Sequence, residues 1–125
     1  MSFEWLDYLD LAKELYKSST KSPSESKLRS AISRAYYAAF HTVKSYLEEK
    51  DPHLLISQDG KAHIEVINAF KYDSNPKRVQ IGEGLNRLKV ARTKADYQKK
   101  EVNAKQAESC IEEVGTLIRR LKFLQ

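Results

Sequence analysis

Apolar residues recur three and four positions apart along the chain, and no segment alternates apolar with polar long enough to read as a strand. Trp5, Tyr8, Leu9, Ala12, Leu15 and Tyr16 fall on one stripe. They predict a first helix that follows Ser2 as N-cap and ends in the Ser/Thr/Lys-rich stretch from Ser18 to Ser22. Ser22-Pro23-Ser24-Glu25 is a start signal for a second helix: serine to cap, proline at the first helical position, glutamate where a capping box wants it. That helix is expected to run to about Lys50, before Pro52. A shorter third helix follows Asp59-Gly60 and carries Ile64, Ile67 and Phe70, until Asp73-Ser74-Asn75-Pro76 breaks the chain. The fourth runs to about Tyr97 with Ile81, Leu85, Leu88 and Ala95 inward. The fifth begins near Asn103 and carries Ala107, Ile111, Val114, Ile118 and Leu121. Five helices with short connections predict an all-α, up-and-down bundle in which the second helix is the longest.

Around the second helix, Leu28, Ile32, Ala35, Tyr36, Ala39, Phe40, Val43, Tyr46 and Leu47 fill one broad apolar sector. Arg34 and His41 fall in the opposite sector with Lys27, Ser30, Lys44 and Glu48, on a face expected to meet water. Their separation of seven positions returns both to within about 20° of one line, roughly 10 Å apart along the axis. The core does not require a guanidinium and an imidazole there.

Composition narrows the setting. A length of 125 residues suits one domain over the whole span 1–125, and 41% hydrophobic with 31% charged residues is ordinary for a folded chain. The net charge of +5 favours polyanions as partners, mildly, because 17 acidic residues dilute it. A lone Cys110 cannot form an internal disulfide. Neither a secretory signal nor a membrane span is visible, so the expected setting is the cytoplasm, away from membranes.

As bare chemistry, the Arg34–His41 pair suits RNA cleavage. Imidazole exchanges a proton near neutrality, and guanidinium matches phosphate oxygens with a planar fork of donors. A base that deprotonates the 2′-hydroxyl and a cation that stabilises the phosphorane would leave a 2′,3′-cyclic phosphate, with no metal or other cofactor needed. An axial separation of roughly 10 Å is too wide to grip one phosphate within a single chain. A two-fold dimer through this helix would set His41 of one chain near Arg34 of the other, with Ala31 and Ala38 small enough for close approach. On spacing alone, two solvated surface residues are the favoured reading.

Arg92 and Asp96, one turn apart on the fourth helix, suit a mutual ion pair in a partly buried position, either structural or supporting catalysis, with Tyr97 beside them. Tyr36 is expected in the core. Tyr37 is expected on the polar side about 60° from Arg34, where it serves base stacking, phosphate binding or dimer packing. His63 reads as a packing or exposed residue, and His53 is assigned nothing. Gly82-Glu83-Gly84 lacks a preceding strand and a following lysine, so it is no phosphate loop. One cysteine and three scattered histidines give no zinc spacing, and Cys110 reads as packing. Lys77-Arg78, Lys99-Lys100 and Arg119-Arg120 are basic pairs that either steer RNA or are simply solvated.

The string Arg34-Ala-Tyr-Tyr-Ala-Ala-Phe-His41, with Leu28-Arg29-Ser30-Ala31 before it and Ala91-Arg92-Thr93-Lys94-Ala95-Asp96-Tyr97 later, resembles the HEPN (higher eukaryotes and prokaryotes nucleotide-binding) superfamily. The likeness is to the small, stand-alone prokaryotic members with a tyrosine pair before the histidine, and it spans nearly the whole chain. The family hallmark is an arginine and a histidine with four to six residues between them; here there are six. The resemblance implies an all-helical, usually dimeric domain of toxin–antitoxin, abortive-infection or CRISPR-linked systems. Many members are metal-independent endoribonucleases that use this Arg and His. Others are RNA- or nucleotide-binding modules, or partners of small nucleotidyltransferases, without catalysis. Active members often place a polar residue directly after the arginine, where this chain has Ala35.

Overall fold

The computed structural model describes residues 4–124; the proposed cap Ser2 lies outside the described residues. Five α-helices follow one another, α1 (Asp7–Lys17), α2 (Ser24–Lys50), α3 (Lys61–Lys71), α4 (Pro76–Tyr97) and α5 (Ala104–Lys122), with a short 3₁₀ turn over Ser18–Thr20. No strand occurs among the described residues, and the fold is the predicted all-α bundle.

Local chemistry accounts for most of the boundaries. Asn75 caps α4 by accepting the backbone N–H of Lys77 at 2.9 Å, with Pro76 in the first helical position. Asn103 and Gln106 form a reciprocal capping box at the start of α5. The start of α2 departs from expectation. Pro23 itself occupies the N-cap, no side chain caps the helix, and Ser22 lies outside it. Glu25 turns instead to Arg29, one turn along, whose Nε donates to it at 2.9 Å.

The α2 helix is the spine of the bundle. Its predicted apolar sector is buried except for Tyr46, which is half-buried. Arg29 reaches across to the end of α4 and donates to the backbone carbonyls of Lys94, Ala95, Gln98 and Lys100 at 2.7–3.3 Å. At the other end, Arg78 of α4 pairs with Asp51 just past α2 at 3.0 Å, so the two helices run antiparallel. Tyr16 of α1 donates to Glu108 of α5 at 2.7 Å. Helices α3 and α4 meet closely at Gly82, where a Cβ would stand 2.5 Å from the backbone nitrogen of Lys71. No helix among the described residues is long and apolar enough to cross a membrane.

Two expectations about α2 change. The face opposite the apolar sector is open to water only in part, because Trp5 and Tyr8 pack over its middle: Arg34, Tyr37 and His41 are half-exposed there, while Ser30 and Glu48 are exposed. Ala31 and Ala38 are fully buried within one chain, so they offer no surface for a second copy. Reading one helix at a time could not reveal that α1, itself only weakly apolar, would claim this face.

Candidate functional site

Arg34, Tyr37 and His41 project from three successive turns of α2 into one cleft of about 290 Å³, closed on the far side by Trp5 and Tyr8. The turn leading into α1 places Trp5, through the backbone bond from Tyr8 N–H to the Trp5 carbonyl. Its ring lies flat on the His41 imidazole, centroids 3.6 Å apart and planes 14° from parallel. The Arg34 guanidinium is held between two tyrosines, 4.8 Å from the Tyr8 ring and 5.2 Å from that of Tyr37. No ion pair joins Arg34 to a described carboxylate, which leaves its charge directed at the cleft. Burial, aided by the neighbouring Lys44 charge, holds the His41 pKa below its ordinary value, so the imidazole is neutral at neutral pH and able to accept a proton.

Tyr37 divides this cleft from a second one of about 380 Å³ between α2 and the start of α3. His41 and Tyr37 line both. The second cleft adds Phe40, Lys44, the Ser57–Gly60 loop and His63. Glu65 fixes the loop by accepting both the backbone N–H and the hydroxyl of Ser57, at 2.7 and 2.9 Å. His63 stacks on Phe40 with centroids 4.2 Å apart, and its Nδ1 lies 2.5 Å from the Tyr36 hydroxyl. The sequence marks His63 only as a packing or exposed residue. Its pairing with Tyr36 crosses from α3 to α2, and no pattern within either helix signals it.

Arg92 lies behind this wall. It is buried, as its angular position on α4 foretold, and pairs with Asp96 at 3.7 Å while Ser33 donates to the same carboxylate oxygen at 3.2 Å. Its guanidinium lies 5.2 Å from the Tyr36 ring and 5.5 Å from Tyr37, with Tyr97 at 5.9 Å. Arg92 therefore backs the tyrosine pair, whereas Asp96 and Tyr97 are exposed and line neither cleft. Ala35 is fully buried among the core side chains. Cys110 is buried as expected, its thiol pushed up to about 11 by burial. No cluster of ligands for a metal ion occurs among the described residues.

A cleft with a fixed guanidinium, a neutral imidazole and three aromatic faces offers charge complementarity to phosphate, a proton acceptor and stacking surfaces for bases. The family model of the HEPN domain matches residues 5–124. The chain is 34% identical over 102 residues to the protein named "Putative toxin MJ0605" of Methanocaldococcus jannaschii, an alignment covering 78% of this chain and 72% of that protein. No solved structure matches it.

Proposed function

The chain belongs to the HEPN domain family, and from that premise we propose that it is a metal-independent endoribonuclease of toxin type. The observation that carries the reading is the shared cleft: Arg34 and His41 line one cavity whose remaining walls are aromatic. His41, neutral because its pKa is lowered, removes the proton of a ribose 2′-hydroxyl. The oxygen attacks the adjacent phosphorus, and Arg34 stabilises the charge on the phosphorane. The 5′-oxygen leaves with the proton that His41 gained, giving a 2′,3′-cyclic phosphate and a 5′-hydroxyl. In the alternative arrangement, a homodimer brings His41 of one chain to Arg34 of the other. With Ala31 and Ala38 buried, its contact forms over the surface shared by α1 and α2, where Trp5, Leu6 and Leu11 are each about two-fifths exposed.

The test is incubation of the purified protein with structured and single-stranded RNA in EDTA. Wild type is expected to yield cyclic-phosphate ends, and Arg34→Ala or His41→Ala to lower the rate at least about 100-fold. Mixing the two variants should restore roughly a quarter of the activity if each site draws one residue from each chain. Undiminished cleavage by folded single variants would overturn the reading.

A second reading rests on Ala35, buried where active members often carry a polar residue. In it the chain is a non-catalytic RNA- or nucleotide-binding module partnering a small nucleotidyltransferase antitoxin. RNA binding without cleavage, together with tight co-purification of such a protein, would favour it.

A further inference from the structure

His63 belongs to no part of the mechanism above, yet it is the most tightly specified histidine in the chain. Three helices converge on it. Arg92 of α4 lies against the Tyr36 ring of α2, and the Tyr36 hydroxyl meets Nδ1 of His63 on α3 at 2.5 Å. Burial pushes the Tyr36 pKa well up despite the Arg92 charge, so the phenol keeps a proton that it can donate in this bond. An imidazole that accepts at Nδ1 carries its own proton on Nε2. Phe40 fixes the ring plane by stacking, and His63 lines the 380 Å³ cleft with Lys44 and His41. A core histidine needed only to satisfy the Tyr36 hydroxyl would not have to border an open cleft.

Lys44 strengthens the case. It lines the same cleft, it is half-exposed, and it forms no ion pair with a described carboxylate. The acidic residue of the lining, Asp59, already accepts the backbone N–H of Lys61 at 2.9 Å with one of its oxygens. Tyr37 and His41 are the wall common to this cleft and the one that holds Arg34. A single strand laid along α2 would therefore pass from one cleft to the other over the Tyr37 ring.

We propose that the α2/α3 cleft is a second phosphate subsite of the RNA site, in which the His63 Nε2–H and the Lys44 ammonium donate to the phosphate next to the one held at Arg34 and His41. The proposal rests on the RNA-directed reading of the site. It does not require that RNA be cleaved. The Tyr36 hydroxyl is a positioning group here, acting through the tautomer of His63, and Arg92 supports Tyr36 in turn.

The experiment uses the full chain and a six-residue 2′-O-methyl oligouridylate, which binds as RNA does but offers no 2′-hydroxyl to activate. Binding is followed by fluorescence anisotropy, and the histidine rings by long-range ¹H–¹⁵N NMR. The His63 signals of the free protein should report the Nε2–H tautomer, and its Nε2 should shift on saturation with the probe. His63→Asn keeps an acceptor for the Tyr36 hydroxyl but loses the Nε2 donor, and it should weaken binding about tenfold with the melting midpoint little changed. Tyr36→Phe keeps the ring but should release its tautomer and weaken binding by a smaller factor. Unchanged affinity in folded His63→Asn, an unmoved Nε2 signal at saturation, or no binding of the probe by wild type would each overturn the subsite. The NMR readout on wild type decides the question even if a variant fails to fold. Probe binding through His63 without cleavage of natural RNA would sink the ribonuclease reading and leave the subsite standing. Cleavage by His41 with His63 silent would do the reverse.

Discussion

At the scale of single residues, Trp5 and His41 form a reporter. Trp5 is the sole tryptophan in the chain, and its indole lies 3.6 Å from the imidazole, plane on plane. An imidazolium quenches a stacked indole more strongly than neutral imidazole does, so Trp5 emission should follow the protonation of His41. Burial and the Lys44 charge both disfavour the charged form, which moves the His41 pKa down from the ordinary 6.5. Emission is therefore expected to rise with pH through a midpoint below 6.5, to lose that transition in His41→Ala, and to keep it in His63→Asn. A midpoint above 6.5 would mean that the cleft favours imidazolium and that His41 enters the reaction as an acid rather than a base. The residue pattern around Arg34 and His41 was legible because seven positions make nearly two helical turns. The roles of Trp5, Tyr8 and His63 were not. Each reaches the site from another helix or turn, and contact across elements leaves no period in the sequence.

At the scale of elements, all five helices could be read from apolar spacing, Asn75-Pro76 and Asn103 marking two starts as their side chains require. Misreading fell mainly on the boundaries, and α1 begins at Asp7, which leaves Trp5 in the turn before the helix. Ser22 could cap α2 but does not, and Glu25 serves Arg29 instead of a capping box. The Gly82-Glu83-Gly84 triplet was rightly excluded as a phosphate loop, but its structural purpose became visible only with α3 in place. A Cβ at Gly82 would meet the backbone of Lys71 at 2.5 and 2.8 Å, and backbone cannot swing aside as a side chain can. Gly82→Ala is expected to push α4 off α3 and lower the unfolding free energy by about 1–3 kcal/mol in urea titrations. At Gly84 the nearest atoms are side-chain ends of Glu113, Arg87 and Leu117 at 3.3–3.8 Å, which can move. Gly84→Ala should then be neutral or slightly stabilising, since alanine is the better helix former by about 1 kcal/mol. Equal losses at both positions would refute the close crossing. Because α3 carries His63, the Gly82 variant should also weaken oligonucleotide binding more than it weakens the Trp5–His41 signal.

At the scale of the whole molecule, the question is what an excess of five positive charges contributes to RNA binding. Composition suggested a basic protein drawn to polyanions, but the fold distributes the charge unevenly. Arg29 is engaged by backbone carbonyls, Arg78 by Asp51 and Asp73, and the buried Arg92 by Asp96. In the two clefts the cations facing a strand are Arg34 and Lys44, since His63 and His41 are held neutral near pH 7 by burial and neighbouring charge. Each single-strand phosphate neutralised by a cation contributes about −0.7 to the slope of log K against log salt. Two such contacts predict a slope near about −1.4 for the non-cleavable oligonucleotide, falling to about −0.7 in Lys44→Ala. Arg119 and Arg120 are exposed on the last turn of α5 and line neither cleft, so replacing both with glutamine should slow association at low salt but leave the slope nearly unchanged. A slope several times steeper, or one that collapses with the α5 pair, would mean that RNA lies across the general basic surface rather than along α2, and the site would have to be sought there.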